Sequence, residues 1–244
     1  MTEKAFNRWF SVFILAGMSV ALILATAIKL QDPDSSRSLL LVSAFGSLMG
    51  VLATISSANG KIVTFLFGLL DVAIYGAICL VNWSHGSSGL GNAVLHFVYF
   101  VPMQFIGFAQ WRKRGNDSQG HVKARRLTGK QRLLYAGIFL AGAVAAYFII
   151  ARFDRSAADT FIKTAVVLDV LPLMCNILGQ LLMSTAYMEQ WFFWIGVNVF
   201  SIVMWSFTLK NDPLSSYAVI YIIKYSFYLL NSFNGLRRWA LMSR

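Results

Sequence analysis

Gly107-Phe108-Ala109-Gln110-Trp111 returns later in the chain as Gly235-Leu236-Arg237-Arg238-Trp239. Each stretch closes a long apolar run, starts with glycine and ends with tryptophan. Slid along itself by 128 residues, the chain places Trp111 on Trp239, Gly107 on Gly235, Phe105 on Phe233 and Gly68 on Gly196. Phe97 then meets Tyr225 and Phe100 meets Tyr228. Similarity at a fixed shift is the signature of a repeated structural unit.

Eight apolar runs fill the sequence: Trp9–Ile28, Ser38–Ser57, Ile62–Val81, Asn92–Trp111, Leu133–Ala151, Phe161–Met183, Trp191–Leu209 and Ser215–Trp239. Runs of this length cross a bilayer as helices. The chain is 57% hydrophobic and only 13% charged, which excludes an ordinary soluble domain. The expectation is an all-α, polytopic membrane protein with eight transmembrane helices forming one integral membrane domain, 1–244. Its plan reads 1+3+1+3: an extra N-terminal helix at 9–28, a three-helix repeat at 38–111, a linker helix at 133–151 and a second three-helix repeat at 161–239. Spans two and six run in the same direction, so the two repeats are parallel. Such repeats place a substrate site between them near the midplane.

The net charge of +11 invites a nucleic-acid reading, but its distribution argues against one. Arg112, Lys113, Arg114, Lys123, Arg125, Arg126, Lys130 and Arg132 share one connection with a single acid, Asp117. Arg237, Arg238 and Arg244 end the chain. Positive charge beside spans marks the cytoplasmic side, and it also favours anionic membrane lipid. The connection with Lys29, Asp32, Asp34 and Arg37 is balanced, as is the one with Arg152, Asp154, Arg155 and Asp159. Both are expected outside, together with the glycine-rich Ser84–Gly91 loop. N- and C-termini are then cytoplasmic. Ser35, Ser36 and Asp159 are candidate helix caps, and Asn211–Ser215 reads as a tight turn. Cys79 and Cys175 lie inside spans and suggest neither a disulfide framework nor a metal site.

Polar groups inside spans are costly and tend to face a cavity or a partner. Trp191, Trp194 and Asn198 are spaced three and four apart, so they share one helix face. Flat rings beside an amide suit a ring-bearing ligand with carboxamide or hydroxyl groups. An aromatic belt at the membrane surface is the competing reading for the tryptophans. Tyr221, Lys224, Tyr228 and Asn231 form a second polar stripe, with Lys224 either in an ion pair with Asp71 or Asp169 or facing a path. Gln104 lies deep in span four beside Pro102. Asp71, His96, Asn176 and Gln180 complete the candidates for a path or for structural polar contacts. No hydrolase triad, phosphate-binding loop or zinc motif is present, and neither an enzyme nor a cofactor is expected.

Trp191-x-x-Trp194-x-x-x-Asn198 is similar to the signature of the PnuC nicotinamide riboside transporters. Tyr99-x-x-Pro102-Met103-Gln104-x-x-Gly107-x-x-x-Trp111 and Tyr228-x-x-Asn231-x-x-Asn234-Gly235 resemble two further motifs of that family. The resemblance covers about Ser38 to Trp239. It implies a SWEET-like fold, a homotrimer in the bacterial cytoplasmic (inner) membrane, and facilitated diffusion of nicotinamide riboside. A cytoplasmic riboside kinase then traps the substrate by phosphorylation. It also implies that Trp191, Trp194, Asn198, Gln104, Tyr228 and Asn231 bind substrate. A retinal protein built on Lys224 and Asp71 leaves the parallel repeat and the tryptophan motif unexplained, and a non-transporting membrane assembly or sensor subunit would show no substrate flux in liposomes. A transporter for thiamine or riboflavin is the closer rival.

Overall fold

The computed structural model describes residues 2–31, 36–84, 90–118, 120–153, 164–211 and 216–243. Several expectations lie outside these residues: the glycine-rich loop at 85–89, the caps at Ser35 and Asp159, the start of span six at 161–163, and the turn at 212–215. The described chain forms helices α1 (Glu3–Leu30), α2 (Arg37–Ala58), α3 (Thr64–Ser84), α4 (Leu90–Leu95), α5 (Val101–Arg114), α6 (Gly129–Phe153), α7 (Thr164–Ser184), α8 (Gln190–Asn211) and α9 (Ser216–Met242). Among the described residues, seven helical segments are long and apolar enough to cross a membrane. The 27-residue α9 is equally long but carries Lys224, Arg237 and Arg238.

Local chemistry sets several helix features. Thr2 caps α1, its hydroxyl accepting from the Ala5 N–H at 3.3 Å. Pro102 has no N–H, and its ring crowds the carbonyl four residues earlier. The helix widens just before it, into a π-helical turn at His96–Phe100 that divides α4 from α5. Such turns are frequent at functional sites. A second proline, Pro172, sits inside α7. Asn176, one turn on, donates its amide to the Pro172 carbonyl at 2.9 Å.

Six segments close into a ring: α2 packs on α3, α3 on α5, α5 on α7, α7 on α8, α8 on α9, and α9 back on α2. The expected 1+3+1+3 plan of two SWEET-like parallel repeats does not describe this fold. The first helix is not an appendage. It packs against both α2 and α9, and it buries Ile14 and Met18 against Val51 and Phe227. The fourth span is broken by its π turn, whereas α9 runs unbroken, so the two do not match as repeated elements. The linker α6 packs chiefly on α7, where Phe139, Ala143 and Tyr147 meet Val166, Val170 and Met174, and Phe139 also reaches Phe193 of α8, ring centres 6.0 Å apart. Leu133, Leu140 and Phe148 on its other faces are exposed in the isolated chain. In a bilayer those faces meet lipid tails, and the helix satisfies its own backbone.

One end of the ring is sealed. Trp111, Trp191 and Trp239 are each about 1% exposed or less, and they cluster with Phe65, Val122, Met183 and Met188. Trp111 donates its indole N–H to the Met183 carbonyl at 2.8 Å, and Trp239 donates to the Ser57 carbonyl at 2.9 Å. The basic connection after α5 straps this end. Val122 N–H donates to the Gly60 carbonyl, and Arg125 exchanges backbone hydrogen bonds with Ala186 and Met188. Arg125 also lies 3.8 Å from the Tyr187 ring centre and donates to the Thr185 carbonyl near the end of α7. Arg126 donates to the Ala240 carbonyl in the last turn of α9. Cations at helix C-termini complement the exposed carbonyls and the helix dipole. Arg132 pairs at 3.0 Å with the buried Glu189, whose second oxygen accepts the Leu127 N–H. Charges that read as topology signals in the sequence therefore also hold the seal together.

Candidate functional site

Inside the ring lies a cavity of about 720 Å³, within the range that holds small-molecule ligands. α2, α3, the π turn, α5, α7, α8 and α9 all contribute to its wall. Toward the seal the lining side chains are buried: Ser57 is 3% exposed, Thr64 1%, Gln104 3%, Gln180 4% and Trp191 1%. At the other end the wall includes Asn92, which is exposed, and the half-buried Ser43. The cavity is thus closed by the tryptophan cluster and the basic strap, and its exposed lining lies away from them.

Ten of the eleven residues singled out from the sequence line this one space. Trp191, Trp194 and Asn198 do so together from α8, as their spacing requires. Trp191 sits deepest, its ring edge-on to Trp239 with centroids 6.4 Å apart. That ring occupies the room a side chain at Gly235 would need. Trp194 is half-buried, its indole N–H directed at the Gln190 side-chain oxygen at 3.4 Å. Asn198 donates to the Ser232 hydroxyl at 3.0 Å, which ties α8 to α9. Gln104 comes in from α5 against Gly68, where a Cβ would stand 2.6 Å from its Oε1. That oxygen is buried and has no hydrogen-bond partner. Gln180 donates to the Ser184 hydroxyl, which donates to the Met103 carbonyl.

Asp71, His96, Asn176, Lys224 and Tyr228 line the same space. His96 lies 4.7 Å from Tyr75 and 5.0 Å from Phe100, ring centre to ring centre. Lys224 has its ammonium 5.7 Å from the ring centres of both Tyr221 and Tyr228. Asn231 lies outside the lining. It is 2% exposed and donates to the Thr54 carbonyl at 3.3 Å, joining α9 to α2.

The structure adds residues that the sequence reading passed over. Trp205 stacks on Tyr221 with centroids 4.3 Å apart and planes 9° from parallel, and its buried indole N–H has no partner. It lies seven residues after Asn198, two turns along the same α8 face. Ser43, Ser47, Gly50, Thr54 and Ser57 form a small, polar stripe on α2 that also faces the cavity. Their steps of four, three, four and three are visible in the sequence. Among the described residues no group of three His, Cys, Asp or Glu is placed to hold a metal. What the wall offers is indole and phenol rings, amides, hydroxyls and a few charges.

Comparison with known proteins accounts for this arrangement. A family model described as nicotinamide mononucleotide transporter matches residues 40–241. The nicotinamide riboside transporter PnuC of Neisseria mucosa is 32% identical over 214 residues, covering 86% of this chain and 73% of that protein. The one from Haemophilus influenzae is 30% identical over 234 residues, covering 95% and 88%. The crystal structure of the vitamin B3 transporter PnuC superposes with a TM-score of 0.67 at 26% identity, covering 99% of this chain and 92% of that one. The match takes in α1 as well, so the fold is that of this transporter as a whole, and it overturns the SWEET-like repeat reading. The protein is a multi-pass membrane transporter of the bacterial inner membrane and not an enzyme. With a family model covering most of its length and a relative above 30% identity, the chain belongs to the nicotinamide mononucleotide transporter family, among its PnuC members.

Proposed function

We propose that the cavity binds nicotinamide riboside and that the protein carries it across the membrane by facilitated diffusion. The observation that carries this reading is the buried Oε1 of Gln104, an acceptor without a donor, in the same cavity as the Trp194 ring. A buried acceptor left unmade costs about 1–3 kcal/mol, which a ligand donor recovers. The carboxamide of nicotinamide brings such a donor. Its pyridinium ring is cationic, and an indole face attracts a desolvated cation by about 2 kcal/mol. Asn198, Tyr228 and the α2 hydroxyls are the polar groups for the ribose.

The family description names the mononucleotide and the relatives are named for the riboside. Charge favours the riboside. Among the described lining residues, two carboxylates, Asp71 and Asp169, stand against one ammonium, Lys224. A phosphate needs several cationic or N–H donors, whereas a single pyridinium does not.

The same proposal has the basic end and both termini in the cytoplasm, with the closed seal on that side and the cavity entered from outside. Release inward needs the tryptophan cluster to part. A cytoplasmic riboside kinase then traps the product, since the phosphorylated form fits the cavity poorly. Three copies assemble in the membrane, using exposed apolar faces.

Calorimetric titration of the purified protein in detergent tests the ligand. Saturable binding of nicotinamide riboside in the micromolar range or tighter is expected, with thiamine and riboflavin silent at the same concentrations. Binding of either vitamin without binding of the riboside rejects the proposal.

A further inference from the structure

Lys224 is the lone lysine or arginine among the described residues that line the cavity, and it lies within the span of α9. An uncompensated ammonium in a space of low dielectric constant would be a strong anion site. It does not stand alone. Asp71 of α3 lines the same space, so its carboxylate shares the cavity with the ammonium. Asp71 is held in position from behind by α2, where a Cβ on Gly50 would stand 2.8 Å from its Oδ2. Tyr221 and Tyr228 flank the ammonium with their rings rather than with further charge.

We infer that Asp71 is a specificity-determining residue, which by neutralising Lys224 stops the cavity from accepting a ligand phosphate while leaving it open to a cationic riboside. This rests on the riboside reading above and names the group that separates the two ligands. The riboside carries one positive charge. The mononucleotide adds a phosphate of about −1.5 to −2 at neutral pH, so it arrives as a net anion. A carboxylate and an ammonium in one cavity sum to no net charge, so the wall presents no uncompensated cation from Lys224. A phosphate approaching Lys224 must compete with a carboxylate fixed in place. Replacing Asp71 by Asn keeps the shape and removes that competitor. Lys224 is then free to draw a phosphate and to repel a pyridinium.

The experiment measures the dissociation constants of both ligands by calorimetry on purified wild-type protein and on three variants. Wild type must bind riboside, and its failure to do so would sink the riboside reading itself. Given that binding, Asp71→Asn is expected to shift the mononucleotide-to-riboside preference by about 100-fold toward the mononucleotide, near tenfold from each ligand. An unchanged preference in a protein that still binds riboside overturns the inference. Asp71→Asn/Lys224→Met removes the ammonium together with its counter-charge and is expected to reject the mononucleotide again. If it admits the mononucleotide as readily as the single variant, Lys224 is not the cation being masked, and the inference fails. Lys224→Met alone supplies the readout if Asp71→Asn does not fold. It is expected to reject the mononucleotide as wild type does, and acceptance would overturn the inference.

Discussion

Trp191→Ala is expected to cost about 3–5 kcal/mol of stability, the range for removing a large buried aromatic side chain from a packed core. The ring is 1% exposed, stands edge-on to Trp239, and fills the space beside Gly235. Trp239 in turn stands 5.4 Å from Trp111, which stands 4.8 Å from Phe65. Deleting the indole opens a void in a cluster whose three other aromatic rings, Trp239, Trp111 and Phe65, are held apart by helix geometry. For a chain of this size the melting temperature should fall by roughly 6–20 °C. Trp191→Phe separates packing from hydrogen bonding. The indole N–H is buried without a partner, so losing it forfeits no bond within the protein. Phe should therefore recover most of the lost stability. A thermal melt in detergent checks both variants, and an unchanged melt for Trp191→Ala would show that the seal does not depend on this ring.

Trp194→Ala should behave in the opposite way. Trp194 is only half-buried, so the fold survives its truncation. The loss falls on the ligand. A stacked, cation-bearing ring is worth about 1–2 kcal/mol, so riboside affinity should drop by about tenfold or more. The melt should change little. If affinity holds in a folded Trp194→Ala protein, Trp194 belongs to the membrane-interface belt and the ligand lies elsewhere in the cavity. The sequence motif treats the two tryptophans alike, whereas burial divides them: both line the cavity, but Trp191 is buried within the seal and Trp194 is half-buried at its edge.

That division shows what the sequence can and cannot carry. Helical spacing brought Trp191, Trp194 and Asn198 to one face, because a step of three or four residues is a property of the helix itself. The same rule reaches Trp205 and the serine and glycine stripe of α2, and both were legible but unread. Gln104, Asp71 and Lys224 stood out because polar groups inside spans demand a reason. Asn231 carried the same signal, yet it is not among the lining residues and bonds the carbonyl of Thr54, which is, and span-level polarity cannot distinguish these placements. The likeness of the Gly107–Trp111 and Gly235–Trp239 endings was visible, and both tryptophans do meet in the seal. It did not extend to a SWEET-like pair of repeats. The packing of α1 into the body and the π turn ahead of Pro102 depend on contacts between distant segments, which no local pattern encodes. The strap was read only as charge. That Arg125 and Arg126 cap helix ends is a property of where the connection folds back.

In the proposed mechanism the cavity carries riboside down its own gradient without a coupled ion. Uptake of labelled nicotinamide riboside into proteoliposomes containing only this protein tests it most directly, provided the membrane potential is clamped near zero. The clamp matters because a potential alone biases a cationic substrate by about 2.3 kcal/mol per 100 mV. With a pH or sodium gradient imposed under that clamp, the internal riboside concentration should rise to the external value and stop there. Accumulation beyond that value would contradict the account and make Asp71 and Asp169 the first residues to examine as ion carriers.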